Sequence, residues 1–552
     1  MSGEKKYVVV TGGVLSGLGK GLLAASVCKL LSESGYSVRP IKFDGYLNVD
    51  AGTINPFKHG EVFVLEDGTE CDMDLGTYER FLNISLDSWS SLTGGRIFKE
   101  IIEKERRGEF LGQDIQFIPH VINEIILWIQ RKDTESDITL IEVGGTVGDI
   151  ENAYFIEALR QHRLRQGLSN FCWIHVTLVP VLKVVGEQKT KPTQTSVRTL
   201  QGMGVQPDIL ICRSEEPISA EVRRKVALFC NVPVSNVISG HDISLIYEYP
   251  FRLMEEEILT VIFNTLRMGP RRMPDLVTWR NLVENIKNPI HEVVVGIGGK
   301  YTALEDAYVS IIKALTHAGA KLGIKVNPIY IETTGIDRIV IQKSLSICDA
   351  VIIPGGFGVR GTEGKIALIQ EVREKSIPFL GICLGLQCAV IEFSRNVVGL
   401  EKANSTEFNA DTPHPVITLL PSQRDVYKKG GTMRLGTYPI LIEPNTLARK
   451  IYDNEVVHER FRHRYEINPD YVGQIESRGF KFSGLSSDKS VIHIGEISTH
   501  PFFIGVQYHP EFLSRFENPH PLFVSLVEAA NICKQQRITG KTKDEEPVVL
   551  IE

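Results

Sequence analysis

The sequence predicts an α/β protein made of two doubly wound domains. Strand-like apolar runs alternate with helical patterns along most of the chain, which favours parallel sheets covered by helices. With 552 residues, the chain is too long for a single hydrophobic core. Each half also contains a glycine-rich turn between a strand and a helix, at 12–21 and at 381–387. We expect a functional site at each turn.

A polar, proline-bearing segment separates the two domains. We predict a first domain at 1–267, a linker at 268–290, a second domain at 291–535 and a flexible tail at 536–552. The tail is rich in charged and small residues, as disordered segments are. Strands are predicted, in chain order, at 6–11, 138–141, 209–212, 234–238, 291–297, 326–331, 350–353 and 435–442.

The composition is ordinary for a globular protein, with 43% hydrophobic and 23% charged residues. No apolar run reaches the roughly 18 residues of a membrane span, and the chain enters a strand too early for a secretory signal. The net charge of −6 gives no indication of nucleic-acid binding. Nine cysteines without metal-ligand spacing indicate free thiols. We expect a cytoplasmic protein that binds neither membrane nor nucleic acid.

The first glycine-rich turn, Gly12–Gly21, would present backbone N–H groups and the Lys20 ammonium to a phosphate. The usual P-loop has four residues between its glycines and Ser or Thr after the lysine. Here five residues separate Gly13 from Gly19, and Gly21 follows the lysine. A turn without ligand is the alternative, and a bound magnesium ion would need ligands from elsewhere.

Candidate magnesium ligands occur at two later points. Asp74 follows a turn at 66–68, and Glu142 ends a buried strand. A carboxylate at the end of a parallel strand lies in the crevice where such sheets bind ligands. Lys42 and Asp44, after the second predicted strand, add charge to the same edge. Oxygen ligands together with nucleotide phosphates suit Mg²⁺, although carboxylates in loops are usually only solvated.

Two further stretches suit an anionic ligand. The loop 186–194 is basic and rich in hydroxyl groups, and a later helix carries Lys225 beside two arginines. Another predicted strand ends at Ser239, just before His241 and Asp242. A solvated turn is the alternative for the loop.

The second glycine-rich turn carries Cys383 between two glycines, which is the thiol form of a nucleophile elbow. Near the end of the chain, His509 and Glu511 follow an apolar run and have the spacing of a base and its orienting carboxylate. Glycines at 355–358 end a strand, and their N–H groups suit an oxyanion hole. The alternative is that Cys383 is only a small buried hydrophobic residue.

These three stretches resemble the class I glutamine amidotransferase module, and further motifs resemble the CTP synthase family from residue 6 to about 530. The resemblance implies a dethiobiotin-synthetase-like P-loop-type sheet in the first domain and a flavodoxin-like amidotransferase sheet in the second. The motifs that carry it are VTGGVLSGLGKG, HGEVFVLEDG, DMDLGTYERF, KERRGEFLG, IEVGGTVGDIE, GEQKTKPTQ and GGTMRLG.

The resemblance implies ATP-dependent amination of UTP at C4 to CTP, the last step of de novo CTP synthesis in pyrimidine biosynthesis. Ammonia would come from glutamine and pass between the domains. Mg²⁺ as cofactor, GTP as allosteric activator, CTP as feedback inhibitor and a homotetramer are also implied, with filaments left open.

The resemblance assigns roles to individual residues. Cys383 would attack glutamine, His509 would transfer protons and Glu511 would orient His509. The implied glutamine-binding residues are Gly356, Leu384, Gly385, Leu386, Gln387, Glu407 and Arg464. The implied ATP-binding residues are Ser16, Gly17, Leu18, Gly19, Lys20, Gly21, Lys42, Asp74, His241, Asp242 and Ile243. The implied UTP- or CTP-binding residues are Ser16, Asp149, Ile150, Glu151, Lys189, Thr190, Lys191, Pro192, Thr193, Gln194 and Lys225. Asp74 and Glu142 would bind the metal, Leu111 would lie in the ammonia tunnel, and Phe357 and Arg360 would form the GTP lid.

Two alternatives stay open. A cobyrinate amidase-like enzyme would share the fold and the nucleotide loop, but it would lack KTKPTQ and the His-x-Glu pair. A non-catalytic filament or nucleotide-sensing scaffold would tolerate the loss of Cys383, His509 or Lys20, and all three are present.

Overall fold

A computed structural model describes residues 4–54, 60–182, 186–300, 308–335, 337–419 and 433–539. The chain forms two compact units, Met1–Ile54 with Cys71–Val277, and Asn55–Glu70 with Thr278–Glu552. The sequence-based division assigned all of 1–267 to one domain, whereas the structure groups a short segment of the first half with the second unit. The predicted α/β class with two doubly wound domains is confirmed.

The first half of the chain alternates strands with helices. Its strands are β1 Lys6–Gly12, β2 Val38–Asp44, β3 Phe63–Val64, β4 Glu70–Cys71, β5 Ser91–Thr93, β6 Ile138–Val143, β7 Phe171–Leu178, β8 Val181–Leu182, β9 Glu187–Gln188, β10 Ile209–Arg213 and β11 Val237–Ser239. Its helices are α1 Lys20–Glu33, α2 Met73–Leu82, α3 Gly94–Arg106, α4 Ile122–Gln130, α5 Ala153–Gln166, α6 Lys191–Gly202, α7 Ala220–Cys230, α8 Tyr249–Glu255, α9 Ile258–Leu266 and α10 Val277–Lys287.

Seven of these strands form one parallel sheet, in the order β11-β10-β7-β1-β6-β2-β5. The central strands are buried along nearly their whole length, as expected for a sheet covered on both faces. β1, β6 and β2 are neighbours, so the turn after β1 lies beside the carboxyl ends of the other two. In this register Lys42 of β2 pairs with Glu142 of β6. The sequence analysis placed Lys42 after the second strand, whereas the structure places it within that strand.

The second half has the same alternation, followed by antiparallel strands. Its strands are β12 His291–Gly299, β13 Ile324–Glu332, β14 Ala350–Ile353, β15 Phe379–Ile382, β16 Ala403–Ser405, β17 His414–Leu419, β18 Arg434–Ile442, β19 Val456–His463, β20 Tyr465–Ile467, β21 Lys481–Leu485, β22 Ile492–Glu496 and β23 Phe503–Val506. Its helices are α11 Val309–Leu322, α12 Arg338–Leu345, α13 Thr362–Glu374, α14 Leu384–Phe393, α15 Leu447–Tyr452, α16 Val472–Glu476 and α17 Pro521–Thr539.

Nine of these strands form a mixed sheet, in the order β13-β12-β14-β15-β23-β22-β21-β18-β19. The pairs from β13 to β23 are parallel, and the pairs from β23 to β19 are antiparallel. Buried clusters cover both faces of the parallel part. The neighbours β15 and β23 end where Cys383 and the His509 segment begin, so the topology brings those two segments to one edge.

The end of the chain differs slightly from the prediction. The last helix, α17, extends to Thr539, four residues beyond the predicted domain end at 535. The rest of the predicted tail, 540–552, lies outside the described residues. Among the helices of the described residues, none is long and apolar enough to cross a membrane.

Candidate active sites

Cys383 sits on a strained elbow between β15 and α14. Its φ of 53° and ψ of −101° are costly for a residue with a side chain, by about 1–3 kcal/mol. The flanking glycines make the elbow possible, because a Cβ at Gly385 would lie 2.2 Å from the carbonyl oxygen of Ile353. The thiol is 3% exposed. The conformation holds the sulfur at the N-terminal end of α14.

His509 lies beside this thiol and is oriented by a carboxylate. Its Nδ1 is 2.7 Å from Glu511 Oε1, and its ring stacks on Phe512 at 5.0 Å between centroids. A Cβ at Gly355 would lie 2.8 Å from His509 Cε1 and 3.6 Å from Cys383 Cβ, so both side chains approach the space beside that glycine. Burial acts to lower the pKa of His509, but Glu511 and Cys383 outweigh it and raise that pKa to about 10. The arrangement favours the imidazolium form of His509 beside the Cys383 sulfur.

The loop after β14 faces the elbow. A Cβ at Gly356 would lie 3.5 Å from the Leu384 side chain, and Leu384 is at the first turn of α14, where N–H groups lack intrahelical acceptors. These two N–H groups suit an oxyanion hole. Beneath the loop, the buried Lys365 ammonium is 3.4 Å from the Pro354 carbonyl oxygen, and burial lowers the pKa of Lys365 to about 8. The sequence analysis did not identify this lysine.

The predicted glutamine-binding residues have different surroundings. Gln387 is buried, and its amide donates to the Tyr465 carbonyl oxygen at 2.9 Å. Glu407 accepts a 2.7 Å hydrogen bond from the Gly358 N–H, and burial raises the pKa of Glu407. Burial raises the pKa of Tyr465, the negative charge of Glu407 raises it further, and the positive charge of Arg464 lowers it. The side chains of Glu407 and Arg464 are therefore both close enough to Tyr465 to affect its ionisation. Gly385 and Leu386 form the buried first turn of α14.

Two residues that contact the thiol had no assigned role in the sequence analysis. The Gln507 amide nitrogen is 3.5 Å from Cys383 Sγ, and the Arg462 carbonyl oxygen is 3.8 Å from it. Gln507 lies two residues before His509. In extended backbone, side chains two residues apart lie on the same face, so the sequence could have placed Gln507 on the same side as His509. Nothing local in the sequence distinguishes Arg462.

In the first unit, Lys20 begins α1 and extends over the turn that precedes it. Its Nζ donates to the Gly145 carbonyl oxygen at 2.8 Å, and a Cβ at Gly12 would lie 2.8 Å from its Cδ. Gly19 adopts a left-handed conformation with a φ of 79°, which glycine adopts more readily than other residues. Ser16 and Gly17 are exposed and Leu18 is buried. The turn therefore offers exposed backbone next to a buried cation.

Three carboxylates surround Lys42 at the edge of the sheet. Its ammonium contacts Asp74, lies 3.5 Å from Glu142 Oε1 and 3.9 Å from Asp44 Oδ1. Burial acts to lower the pKa of Lys42, but the charges of Asp74 and Glu142 hold it well above its usual value. Burial raises the pKa of Asp44 to about 7, against the opposing charge of Lys42. Tyr78 donates a hydrogen bond to Glu142.

Asp74 occupies the space that a side chain at Gly21 would need. A Cβ at Gly21 would lie 2.2 Å from Asp74 Oδ1, while Asp72 caps α2 by accepting from the Asp74 N–H at 3.0 Å. The usual P-loop has Ser or Thr at this position. In this chain glycine stands there instead, and the Asp74 carboxylate, from α2, fills the space that a Ser or Thr side chain would occupy.

The donors at this edge suit magnesium without forming a complete metal cage. Among the described residues, no group of three or more His, Cys, Asp or Glu side chains has the arrangement of a metal site. Asp74 and Glu142 both approach Lys42, however, and Mg²⁺ is commonly held by one or two carboxylates plus phosphates and water. The donor set fits a metal that arrives with a nucleotide.

The loop before α6 combines surface cations with buried polar groups. Lys189 Nζ is 2.5 Å from Glu187, and the Glu187 pKa is lowered first by that hydrogen bond and also by the charge of Lys225. Thr193 donates to the Leu178 carbonyl oxygen at 2.9 Å. Gln194 donates to Thr190 at 3.0 Å. Lys191 and Pro192 form the first turn of α6.

The other predicted contacts are spread along the first unit. Asp149 accepts from the Thr146 N–H at 2.9 Å, and Ile150 and Glu151 are exposed. His241, Asp242 and Ile243 follow β11, three strands from β1, which is about 14 Å at the usual strand spacing. That separation suits the two ends of one nucleotide. Leu111 is 90% exposed, with a φ of 51°.

Phe357 and Arg360 lie on the loop after β14. Phe357 is 39% exposed, and the Arg462 guanidinium lies 5.3 Å from its ring centroid. Arg360 donates to the Lys300 carbonyl oxygen at 2.8 Å. Phe357 lies within the predicted oxyanion loop, 355–358, and Arg360 follows it closely.

Two family profiles match this chain. Residues 6–268 match the family described as "CTP synthase N-terminus", and residues 303–529 match "Glutamine amidotransferase class-I". Together they cover both units.

Several curated proteins are similar along nearly the full length. CTP synthase of Thermococcus gammatolerans is 51% identical over 526 residues, covering 95% of this chain and 98% of that protein. CTP synthases of Methanocaldococcus jannaschii and Flavobacterium johnsoniae are 50% and 49% identical, covering 95% and 96% of this chain and 98% of each relative. Among solved structures, the glutaminase domain of Trypanosoma brucei CTPS with bound acivicin is 35% identical, covering 44% of this chain and 94% of that chain, with a TM-score of 0.41.

Proposed function

This chain belongs to the CTP synthase family and is a glutamine-hydrolysing, ATP-dependent ligase that converts UTP to CTP, and we propose how its residues carry out that reaction. The observation that carries the proposal is the placement of Cys383 and His509 beside Gly355, with Glu511 hydrogen-bonded to the imidazole. An acyl-transfer centre needs these groups in this order.

In the glutaminase reaction, the Cys383 thiolate attacks the glutamine carboxamide carbon and forms a C–S bond. The N–H groups of Gly356 and Leu384 stabilise the oxyanion of the tetrahedral intermediate. The His509 imidazolium protonates the nitrogen, so ammonia leaves and a thioester remains. Water then attacks the thioester, His509 accepts its proton, and glutamate is released.

We propose that the amino-acid end of glutamine binds beside this centre. Glu407 and Arg464 offer the opposite charges that an α-amino and an α-carboxylate group require. Gln387 supports the site from beneath, through its hydrogen bond to the Tyr465 carbonyl oxygen.

In the synthetase reaction, ATP phosphorylates the uracil 4-oxygen and turns it into a good leaving group. Lys20 and Lys42 neutralise charge on the transferred phosphoryl group, while the turn 16–21 binds the other phosphates. Ammonia then attacks C4, and phosphate leaves. We assign the adenine end of ATP to the segment His241–Ile243.

Mg²⁺ would be held by Asp74 and Glu142 and would supply charge neutralisation between phosphates. Lys42 already binds both carboxylates, so it orients them before the nucleotide arrives.

We further assign UTP to the segment 189–194 with Lys225 and Ser16. Feedback inhibition by CTP is assigned to Asp149, Ile150 and Glu151.

Ammonia has to reach UTP unprotonated, because ammonium has no lone pair for attack. We assign Leu111 to its path, by resemblance to the family.

Phe357 and Arg360 are assigned to a lid on which GTP acts as activator. Their position on and directly after the oxyanion loop supports this assignment. A cytoplasmic location is proposed as well, supported by nine cysteines that are all free thiols.

Product analysis tests the proposal as a whole. Incubated with UTP, ATP, Mg²⁺ and glutamine, the protein should form CTP, ADP, phosphate and glutamate in equal amounts. Formation of glutamate with no amination of UTP would contradict the synthetase assignment.

Replacing Glu511 by glutamine is expected to slow glutamine hydrolysis by about 10²- to 10⁴-fold, less than the removal of Cys383. The carboxylate orients His509 but is not consumed. Losing its charge lowers the raised pKa of His509, so the imidazolium should be lost at a lower pH than in the unmodified protein. The pH dependence of kcat/KM for glutamine hydrolysis checks this shift, and an unchanged pH profile would contradict the role of Glu511.

Addition of UTP and ATP-Mg²⁺ is expected to shift the protein to tetramers, because ligands that bind only the assembled form favour it by mass action. Lys189 and Lys225 both act on Glu187, and they carry more positive charge than one small pocket needs. Lys189→Ala should weaken UTP binding and the shift in sedimentation together. Lys99→Ala, which changes an exposed lysine near Glu103, is the control and should alter neither. A monomer that makes CTP at full rate would refute the assembly.

A further inference from the structure

The second unit contains a segment from the first half of the sequence. Residues 60–70 form a turn closed by a hydrogen bond from the Leu65 N–H to the Thr69 carbonyl oxygen at 2.9 Å. Phe63, Val64 and Leu65 in it are fully buried. A buried loop is costly unless its polar groups are paired, and the polar groups of this segment pair with residues around the candidate glutaminase centre.

The first set of contacts leads to the imidazole. The Arg460 side chain donates to the Val64 carbonyl oxygen at 3.0 Å, and the carbonyl oxygen of Arg460 accepts from the backbone N–H of His509 at 2.8 Å. Phe63 packs edge-on against Phe512 at 5.0 Å between centroids, and Phe512 is the ring on which His509 stacks. The segment therefore supports the base from two sides.

The second set leads to the thiol. Glu70 is 3% exposed, and its Oε1 accepts a 2.8 Å hydrogen bond from Arg462 Nε. The carbonyl oxygen of Arg462 lies 3.8 Å from Cys383 Sγ, and its guanidinium lies 5.3 Å from the ring centroid of Phe357 on the oxyanion loop. One arginine thus contacts the carboxylate, the nucleophile and the loop. For Glu70 Oε2, the described residues provide no hydrogen-bond partner.

We propose that Glu70 is a positioning residue of the glutaminase centre, which holds Arg462 so that its backbone and guanidinium fix the thiol and the oxyanion loop. Removing one partner of a buried ion pair leaves the other charge uncompensated, and Arg462 would then move towards solvent. A misplacement of about 1 Å at a reacting group can cost about 10²-fold in rate. The inference rests on the proposed role of Cys383 as nucleophile.

The test uses the full-length chain and three variants, Glu70→Gln, Glu70→Asp and Glu392→Gln. Glu392 is the matched control: it is a fully buried carboxylate paired with Arg373 at 2.7 Å, with 18% exposure of the arginine against 17% for Arg462. Glutamine hydrolysis, iodoacetamide alkylation of Cys383, CTP formation from added ammonia and Tm are measured for each.

Glu70→Gln is expected to lower kcat for glutamine hydrolysis and the alkylation rate by about ten- to a hundred-fold, with KM changed by less than about three-fold. Ammonia-dependent synthesis should stay within about two-fold, and Glu70→Asp should recover part of kcat. Glu392→Gln should lower Tm without this loss of rate. Equal losses in Glu70→Gln and Glu392→Gln, or an unchanged kcat in Glu70→Gln, would overturn the proposal. If Glu70→Gln does not fold, the Glu70→Asp rates decide in the same way.

The two proposals fail in different ways. If Cys383→Ala still hydrolyses glutamine, the nucleophile assignment is wrong whatever Glu70 does. If Cys383→Ala is inactive and Glu70→Gln is fully active, only the positioning role is wrong.

Discussion

Cys383→Ala is expected to abolish CTP formation from glutamine and leave CTP formation from added ammonia. The thiolate is needed only to release ammonia, whereas the phosphoryl chemistry uses Lys20, Lys42 and their neighbours. Without the sulfur no acyl intermediate forms, so the loss should exceed the 10²- to 10⁴-fold expected for Glu511→Gln. Parallel assays with glutamine and with ammonium chloride at high pH measure both activities on one preparation.

Cys388→Ala is the matched control for this prediction. Cys388 lies on α14, the helix that follows Cys383; it is fully buried, and burial raises the pKa of its thiol to about 12. This variant should keep both activities. Loss of both activities in folded Cys383→Ala would contradict the separation into two sites.

The fold was predictable because its signals are local. Buried parallel strands read as continuous apolar runs, and β1 and β14 show this clearly. The elbow at Cys383 was recognisable for the same reason, since the glycines that permit it are adjacent in sequence. The sequence analysis placed Lys42 after β2, because charged residues are normally found at the ends of strands. In the structure Lys42 lies within β2, since its ion pairs with Asp74 and Glu142 offset the cost of burying its charge.

The contribution of residues 60–70 was not predictable from the sequence. Its turn signals are ordinary, and nothing near Glu70 indicates a partner almost four hundred positions later in the chain, at Arg462. The occupation of the Gly21 position by Asp74 is of the same kind. Local patterns specify elements, but which elements meet depends on tertiary packing, which one sequence does not display.

Lys20→Ala is expected to remove CTP formation from either nitrogen source, while glutamine hydrolysis without nucleotide survives. Lys20 is 7% exposed and reaches across the glycine turn to the Gly145 carbonyl oxygen, so its ammonium is fixed where phosphoryl charge would develop. Preorganised charges of this kind contribute about 3–4 kcal/mol, or 10²- to 10³-fold in rate. Turnover with ATP, UTP and saturating ammonia measures the loss directly.

Lys29→Ala separates this role from a general effect on helix α1. Lys29 is 4% exposed on the same helix and pairs with Glu33 at 2.9 Å, two turns or more away from the glycine turn. Its loss removes a buried charge of the same kind, so it should lower Tm but leave kcat for ammonia-dependent synthesis within about three-fold, because the phosphate site is untouched. Near-normal CTP formation by Lys20→Ala would show that the glycine turn does not bind the transferred phosphoryl group. Equal losses in the two variants would show instead that α1 needs both lysines for its packing.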